Sequence, residues 1–145
     1  MILFDVNILI YAHREDQKQH ASIINQFQKR IQNAPCFGFS PSIAGAYLRI
    51  VTQPKFPNGP TPLSQALAHI DHLVYQPNFS WAAPGSSHWE LMSSLCRNTQ
   101  TSGKRVADAQ HAAVAIEHAA TFISADSDFH SFKAHGLRFE HWAAS

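Results

Sequence analysis

The sequence predicts an α/β protein with a parallel sheet, and three observations carry that reading. Short apolar segments alternate along the chain with longer stretches of helical periodicity, the pattern of strand–helix–strand units. The first segment, Ile2 to Phe4, is wholly apolar, as in a strand covered on both faces. The chain has 145 residues, 45% of them hydrophobic and 14% charged, which suits a single domain over residues 1–145 with a core of its own.

The elements follow in order. After Ile2–Phe4, residues 7–13 turn helical. Residues 17–32 place Ile23, Ile24, Phe27 and Ile31 at helical spacing. Cys36 to Phe39 reads as a second strand. Ser40-Pro41 supplies a cap and a first-turn proline for a helix reaching about Thr52. The stretch QPKFPNGPTP is a loop. Leu63 to Val74 is helical, entered from Thr61-Pro62. Asn78 to Trp81 reads as a third strand, and Pro84 to Ser87 opens a helix to about Arg97. Asn98 to Lys104 is a polar loop. Arg105 to Ala120 sets Val106, Ala109, Ala113, Ile116 and Ala120 on one helical stripe. Thr121 to Ser124 is a strand, ADSD a turn, Phe129 to Lys133 a short helix and Leu137 to Trp142 a last strand.

Composition narrows the function. The net charge is +1, so a surface for nucleic acid has to be local. Cys36 and Cys96 are too few for a disulfide framework and lack metal-site spacing, so both read as small buried hydrophobes. Asp5 and Asn7 interrupt the apolar start and no Lys or Arg precedes it, unlike a signal peptide. No run reaches the roughly 18 apolar residues that span a membrane. A soluble protein of the reducing cytoplasm is expected.

Four acids share a topological address. In a parallel sheet, ligands bind at the edge where strands end and the following helices begin. Asp5 lies just past the first strand, Asp126 and Asp128 just past Thr121–Ser124, and Asp108 in the first turn of the helix after the polar loop. Crowded carboxylates repel one another unless a cation neutralises them. Their oxygens suit Mg²⁺ or Mn²⁺, which can activate water and stabilise the leaving oxygen of a phosphodiester. Asp5, Asp108 and Asp126 are therefore candidate ligands of one shared ion. Ordinary readings stand beside this one, since the helix dipole favours Asp in a first turn and Asp after a strand is common turn chemistry. They fit Asp5 least, because it is wedged between two apolar runs.

At these residues the chain resembles the PIN-domain family, and within it the VapC toxins of bacterial toxin–antitoxin pairs. The matching stretches are LFDVNILIYA and RVADAQHAAVAIEHAATFISADSDF and, more loosely, FGFSPSIAGAYLRIVTQPKF and PGSSHWELM. The resemblance implies a three-layer α/β/α, Rossmann-like PIN domain with a central, mostly parallel sheet. It implies an Mg²⁺- or Mn²⁺-dependent endoribonuclease acting on RNA, homodimeric, and held inactive by a cognate antitoxin. Carried over by position, Asp5 and Asp108 look like the principal metal ligands, Asp126 like the third acid and Asp128 like an accessory. Asn7 looks like the residue that orients the first Asp, and Ser124 like the small hydroxyl of the same site. Many members carry a Glu in the helix after the second strand, where this chain has Ala46. Three carboxylates then suffice, or another acid such as Glu90 substitutes, or the chain is a weakened module that binds RNA or protein.

Remaining candidates are weaker. His69 and His72, and His111 and His118, stand at helical spacings, but without HExxH or a Cys partner they read as surface or capping residues. Arg49, Lys104 and Arg105 are candidate contacts to RNA phosphates. Tyr47, Trp81 and Trp89 have the chemistry to stack on bases, with core packing or a subunit interface as the simpler role. No GxGxxG or GxxxxGK[ST] is present, which removes support from nucleotide-cofactor folds. A haloacid-dehalogenase-like phosphatase needs DxD where this chain has Asp5 and Asn7.

Overall fold

The computed structural model describes residues 1–143. Four parallel strands, β1 (Ile2–Phe4), β2 (Phe37–Gly38), β3 (Thr121–Ser124) and β4 (Arg138–His141), form one sheet in the order β2-β1-β3-β4. The connections carry α1 (Val6–His13), α2 (His20–Asn33), α3 (Pro41–Val51), α4 (Leu63–Val74), α5 (His88–Thr99) and α6 (Val106–Glu117). Short 3-10 segments cover Gly103–Arg105 and Ser127–His135.

Alternation along the strands divides the core into two layers. Phe4 and Ile123 face a cluster built with Ile8, Ile23, Phe27, Ile43 and Tyr47 from the helices α1 to α3. Leu3 and Phe122 face the opposite cluster, with Leu95, Ala112, Phe129 and Phe132. This is the expected α/β/α layering. The alanine-rich stripe of α6 (Ala109, Ala112, Ala113) lets that helix lie close on the sheet.

Several boundaries differ from the sequence reading. The helix expected over 17–32 spans His20–Asn33, because the preceding residues form turns. Asn78–Trp81 is not a laddered strand. It makes one parallel bridge, Phe37 to Phe79, although Phe37 N donates to Asn78 O at 3.0 Å and Ser80 N to Phe37 O at 2.9 Å. The stripe on α6 stops at Glu117, and Ala119 has left the helix with a positive φ of 50°. Cys36 and Cys96 are free and half-buried rather than buried. Among the described residues no helix is long and apolar enough to cross a membrane.

Two side chains hold the layer of α1 to α4 together. Arg14 donates to Gly59 O at 2.8 Å, Thr61 Oγ1 at 3.1 Å and Pro57 O at 3.2 Å, so it pins the proline-rich loop. The ring of His13 is half-buried and stacked on His69 at 4.3 Å, while Tyr47 Oη lies 3.0 Å from His69 Nδ1. His69 is therefore a packing residue, not a capping one. Burial, with His69, His72 and His20 nearby, pushes the His13 pKa down to about 4. The native state thus binds fewer protons than the unfolded chain between about 4 and 6.5, and stability falls as pH falls through that window, by roughly 3 kcal/mol at its lower end. His13→Phe is expected to flatten the fall of melting temperature between pH 6.5 and 4.5. A slope equal to wild type would show that His13 is not the titrating group.

Candidate active site

The register of the two central strands builds the site. Phe4 pairs with Ile123, so the residues that follow, Asp5 and Ser124, meet across the sheet edge. Asp5 is the N-cap of α1, and its Oδ1 accepts from Val6 N at 2.7 Å. Its Oδ2 accepts from Ser124 Oγ at 2.7 Å. Ser124 Oγ in turn accepts from Asn7 Nδ2 at 3.1 Å and from Asp126 N at 3.0 Å. Asn7 Oδ1 accepts from Ala125 N at 3.2 Å. Both lone pairs and the proton of the buried serine are therefore used, and Asp5 is fixed in orientation. Asp126 caps the following 3-10 segment, accepting from Asp128 N at 2.9 Å.

Electrostatics tie the four acids together. Burial, opposed by the bonds from Ser124 and Val6, pushes Asp5 up to about 6, with the charge of Asp126 adding to the rise. Asp108, half-buried in the first turn of α6, is also raised to about 6, by desolvation and by Asp126, Asp5 and Asp128. Arg105 opposes that rise from one helical turn away, its Nε 4.0 Å from Asp108 Oδ2 and 4.0 Å from Asp128 Oδ2. Ser131, which approaches the Arg105 guanidinium at 3.3 Å, carried no signal in the sequence.

The donor set fits a hard divalent ion in kind, since it is all carboxylate oxygen and its mutual repulsion is relieved by positive charge. Among the described residues, no three His, Cys, Asp or Glu side chains stand as a closed ligand set. Asp108 and Asp126 are partly exposed, whereas Asp5 is buried.

The other candidates fall elsewhere. Arg49 is exposed in the last turn of α3, about 13 Å down the helix from its cap at Ser40. Lys104 is exposed in the segment that leads into α6. Glu90 is exposed near the start of α5. Glu117, at the far end of α6 from Asp108, accepts from Gly85 N at 2.7 Å and Ser87 N at 3.0 Å. That contact puts the start of α5, and Glu90 with it, away from the acids, so Glu90 does not replace the missing Glu. Tyr47 is fully buried and cannot stack on a base, whereas Trp81 and Trp89 are exposed, Trp89 at 70%.

Fold and site together define an α/β/α protein that carries a patch of aspartates at the edge where its strands end. The PIN domain family model matches residues 2–134, and the chain belongs to that family. It is 33% identical over 141 residues to VapC ribonuclease Mb2897 of Mycobacterium bovis, covering 97% of this chain and 95% of the relative. Ribonuclease VapC25 of Mycobacterium tuberculosis is 31% identical over 132 residues, 91% of this chain and 93% of the relative. Among solved structures the fold is shared with VapBC2 from Rickettsia felis bound to a DNA fragment from the promoter, with a TM-score of 0.68 and 20% identity over 98% of this chain and 99% of that one. VapBC-1 from nontypeable Haemophilus influenzae gives a TM-score of 0.66 at 17% identity, covering 98% of each chain.

Proposed function

We propose that this chain is a divalent-metal-dependent endoribonuclease and the toxin of a toxin–antitoxin pair. The observation that carries the reading is the set of four aspartates at one sheet edge, with Asp5 and Asp108 both raised toward neutrality by burial and by their neighbours. The ribonuclease names of relatives at about one-third identity support it.

Asp5, Asp108 and Asp126 are the residues to hold the ion. When bound, Mg²⁺ or Mn²⁺ supplies positive charge at the scissile phosphate and acidifies water. Ser124, itself held by Asn7, keeps Asp5 from rotating. Asp128 is an accessory acid at the rim. Lys104 meets the RNA backbone as a surface charge. The partner set is an RNA substrate, a cognate antitoxin protein and a second copy of this chain. Ala46 favours a second reading, a weakened module that binds RNA or protein without cleaving. RNA cleavage mapping with purified protein in Mn²⁺ separates the two.

Asp108→Asn tests the shared site. Removing one charge from a crowded group raises the melting temperature in EDTA. It also removes most of the gain from metal. Saturation at one hundred times the dissociation constant contributes about 2.7 kcal/mol, or roughly 5–10 °C for a domain of this size. Wild type is therefore expected to gain several degrees in Mn²⁺ and the variant much less. A variant that melts lower in EDTA and responds fully to Mn²⁺ would falsify the shared site.

A further inference from the structure

We infer that Arg105 is a built-in counter-ion of the acidic edge, held short of the carboxylate oxygens so that it sets the affinity for a divalent cation without occupying the ligands. The inference rests on the metal reading above. Arg105 Nη2 donates to Asp128 O and to Ser131 Oγ, both at 3.3 Å. Ser131 Oγ itself donates to Asp128 O at 2.9 Å, which ties the anchor to the 3-10 segment. With one edge of the guanidinium fixed there, its Nε faces the gap between Asp108 and Asp128 and stops 4.0 Å from an oxygen of each. That distance is beyond a hydrogen bond, and among the described residues the buried Nε has no hydrogen-bond partner.

A charged N–H beside two carboxylates would ordinarily close a bidentate pair. Here the anchor prevents it. The positive charge still relieves the repulsion among Asp5, Asp108, Asp126 and Asp128, yet the oxygens keep their lone pairs for another cation. An arriving dication and the guanidinium then repel each other. The side chain is 41% exposed, so an RNA phosphate arriving at the edge is a natural partner for its solvent-facing side. Arg105 is thus a positioning residue that trades metal affinity against the integrity of the metal-free site.

The test is calorimetric titration of Mn²⁺ into wild type, Arg105→Met, Arg105→Gln and Arg105→Lys, with melting in EDTA as a second reading. The two neutral variants are expected to bind Mn²⁺ about tenfold more tightly, as loss of a charge a few ångströms from a dication implies. Both should melt lower than wild type in EDTA. Arg105→Lys keeps the charge and should bind within about threefold of wild type. Unchanged or weaker Mn²⁺ binding in the neutral variants, with wild type titrating normally, overturns the counter-ion role alone. Wild type that takes up no Mn²⁺ overturns the metal reading and this inference with it.

Discussion

Asp5→Asn is expected to abolish RNA cleavage while leaving the metal-free protein within a few degrees of the wild-type melting temperature at pH 7. The two halves of that outcome have different causes. Asp5 accepts at both carboxylate oxygens, from Val6 N and from Ser124 Oγ. An amide offers one acceptor. Either its NH₂ faces Val6 N–H, or it faces a serine oxygen whose lone pairs already take Asn7 and Asp126 N. One hydrogen bond is lost in both cases, at about 1–3 kcal/mol. Against this, burial raises the Asp5 pKa to about 6, so at pH 7 the ionised group costs the native state about 3 kcal/mol, which the amide removes. The terms nearly cancel at neutral pH, while activity loses its fixed carboxylate.

The sign with pH follows. The native state holds the Asp5 proton more tightly than the unfolded chain does, so this penalty grows as pH rises from about 4 to about 6. Asp5→Asn should therefore be less stable than wild type near pH 4 and gain on it through pH 6. Melting curves in EDTA across that range, beside a cleavage gel at pH 7, decide the matter. Retained cleavage sinks the assignment of Asp5, and a difference that ignores pH sinks the account of its burial.

The largest structural effect is expected from Gly38→Ala. A Cβ at Gly38 would overlap the backbone carbonyl oxygen of Ser80. Backbone cannot step aside as a side chain can. Segment 78–82 would have to leave β2, breaking the bonds from Phe37 N to Asn78 O and from Ser80 N to Phe37 O. Phe79 and Trp81, which pack edge-on against Phe39, would move with it. A cost above about 3 kcal/mol follows, or a fall of at least roughly 6–12 °C in melting temperature. Gly45 is the control. It sits within α3 with nothing within 4 Å of an added Cβ, so Gly45→Ala should gain about 0.5–1 kcal/mol. Equal responses at the two glycines would mean that close approach to Ser80 is not what Gly38 serves.

The sequence by itself determined the order of the elements and the edge at which the acids lie. Ile2–Phe4 is a short apolar run ended by Asp5, Phe122-Ile123 is a short apolar pair between Thr121 and Ser124, and Ser40-Pro41 is a local cap, so neighbours in the chain settle them. Once strands and helices alternate, right-handed parallel connections bring Asp5, Asp108, Asp126 and Asp128 to one side. Tertiary structure decided what no local pattern encodes. The register of β1 on β3 made Ser124 the partner of Asp5, 119 residues away. The anchor at Ser131 set where Arg105 stops. Asn78–Trp81, apolar enough for a strand, kept a single bridge because it lies beside a two-residue β2. The physical reason is common to all three. Periodicity and capping are energies of adjacent residues, whereas register, counter-ion distance and ladder length depend on surfaces that meet only after the layers have packed.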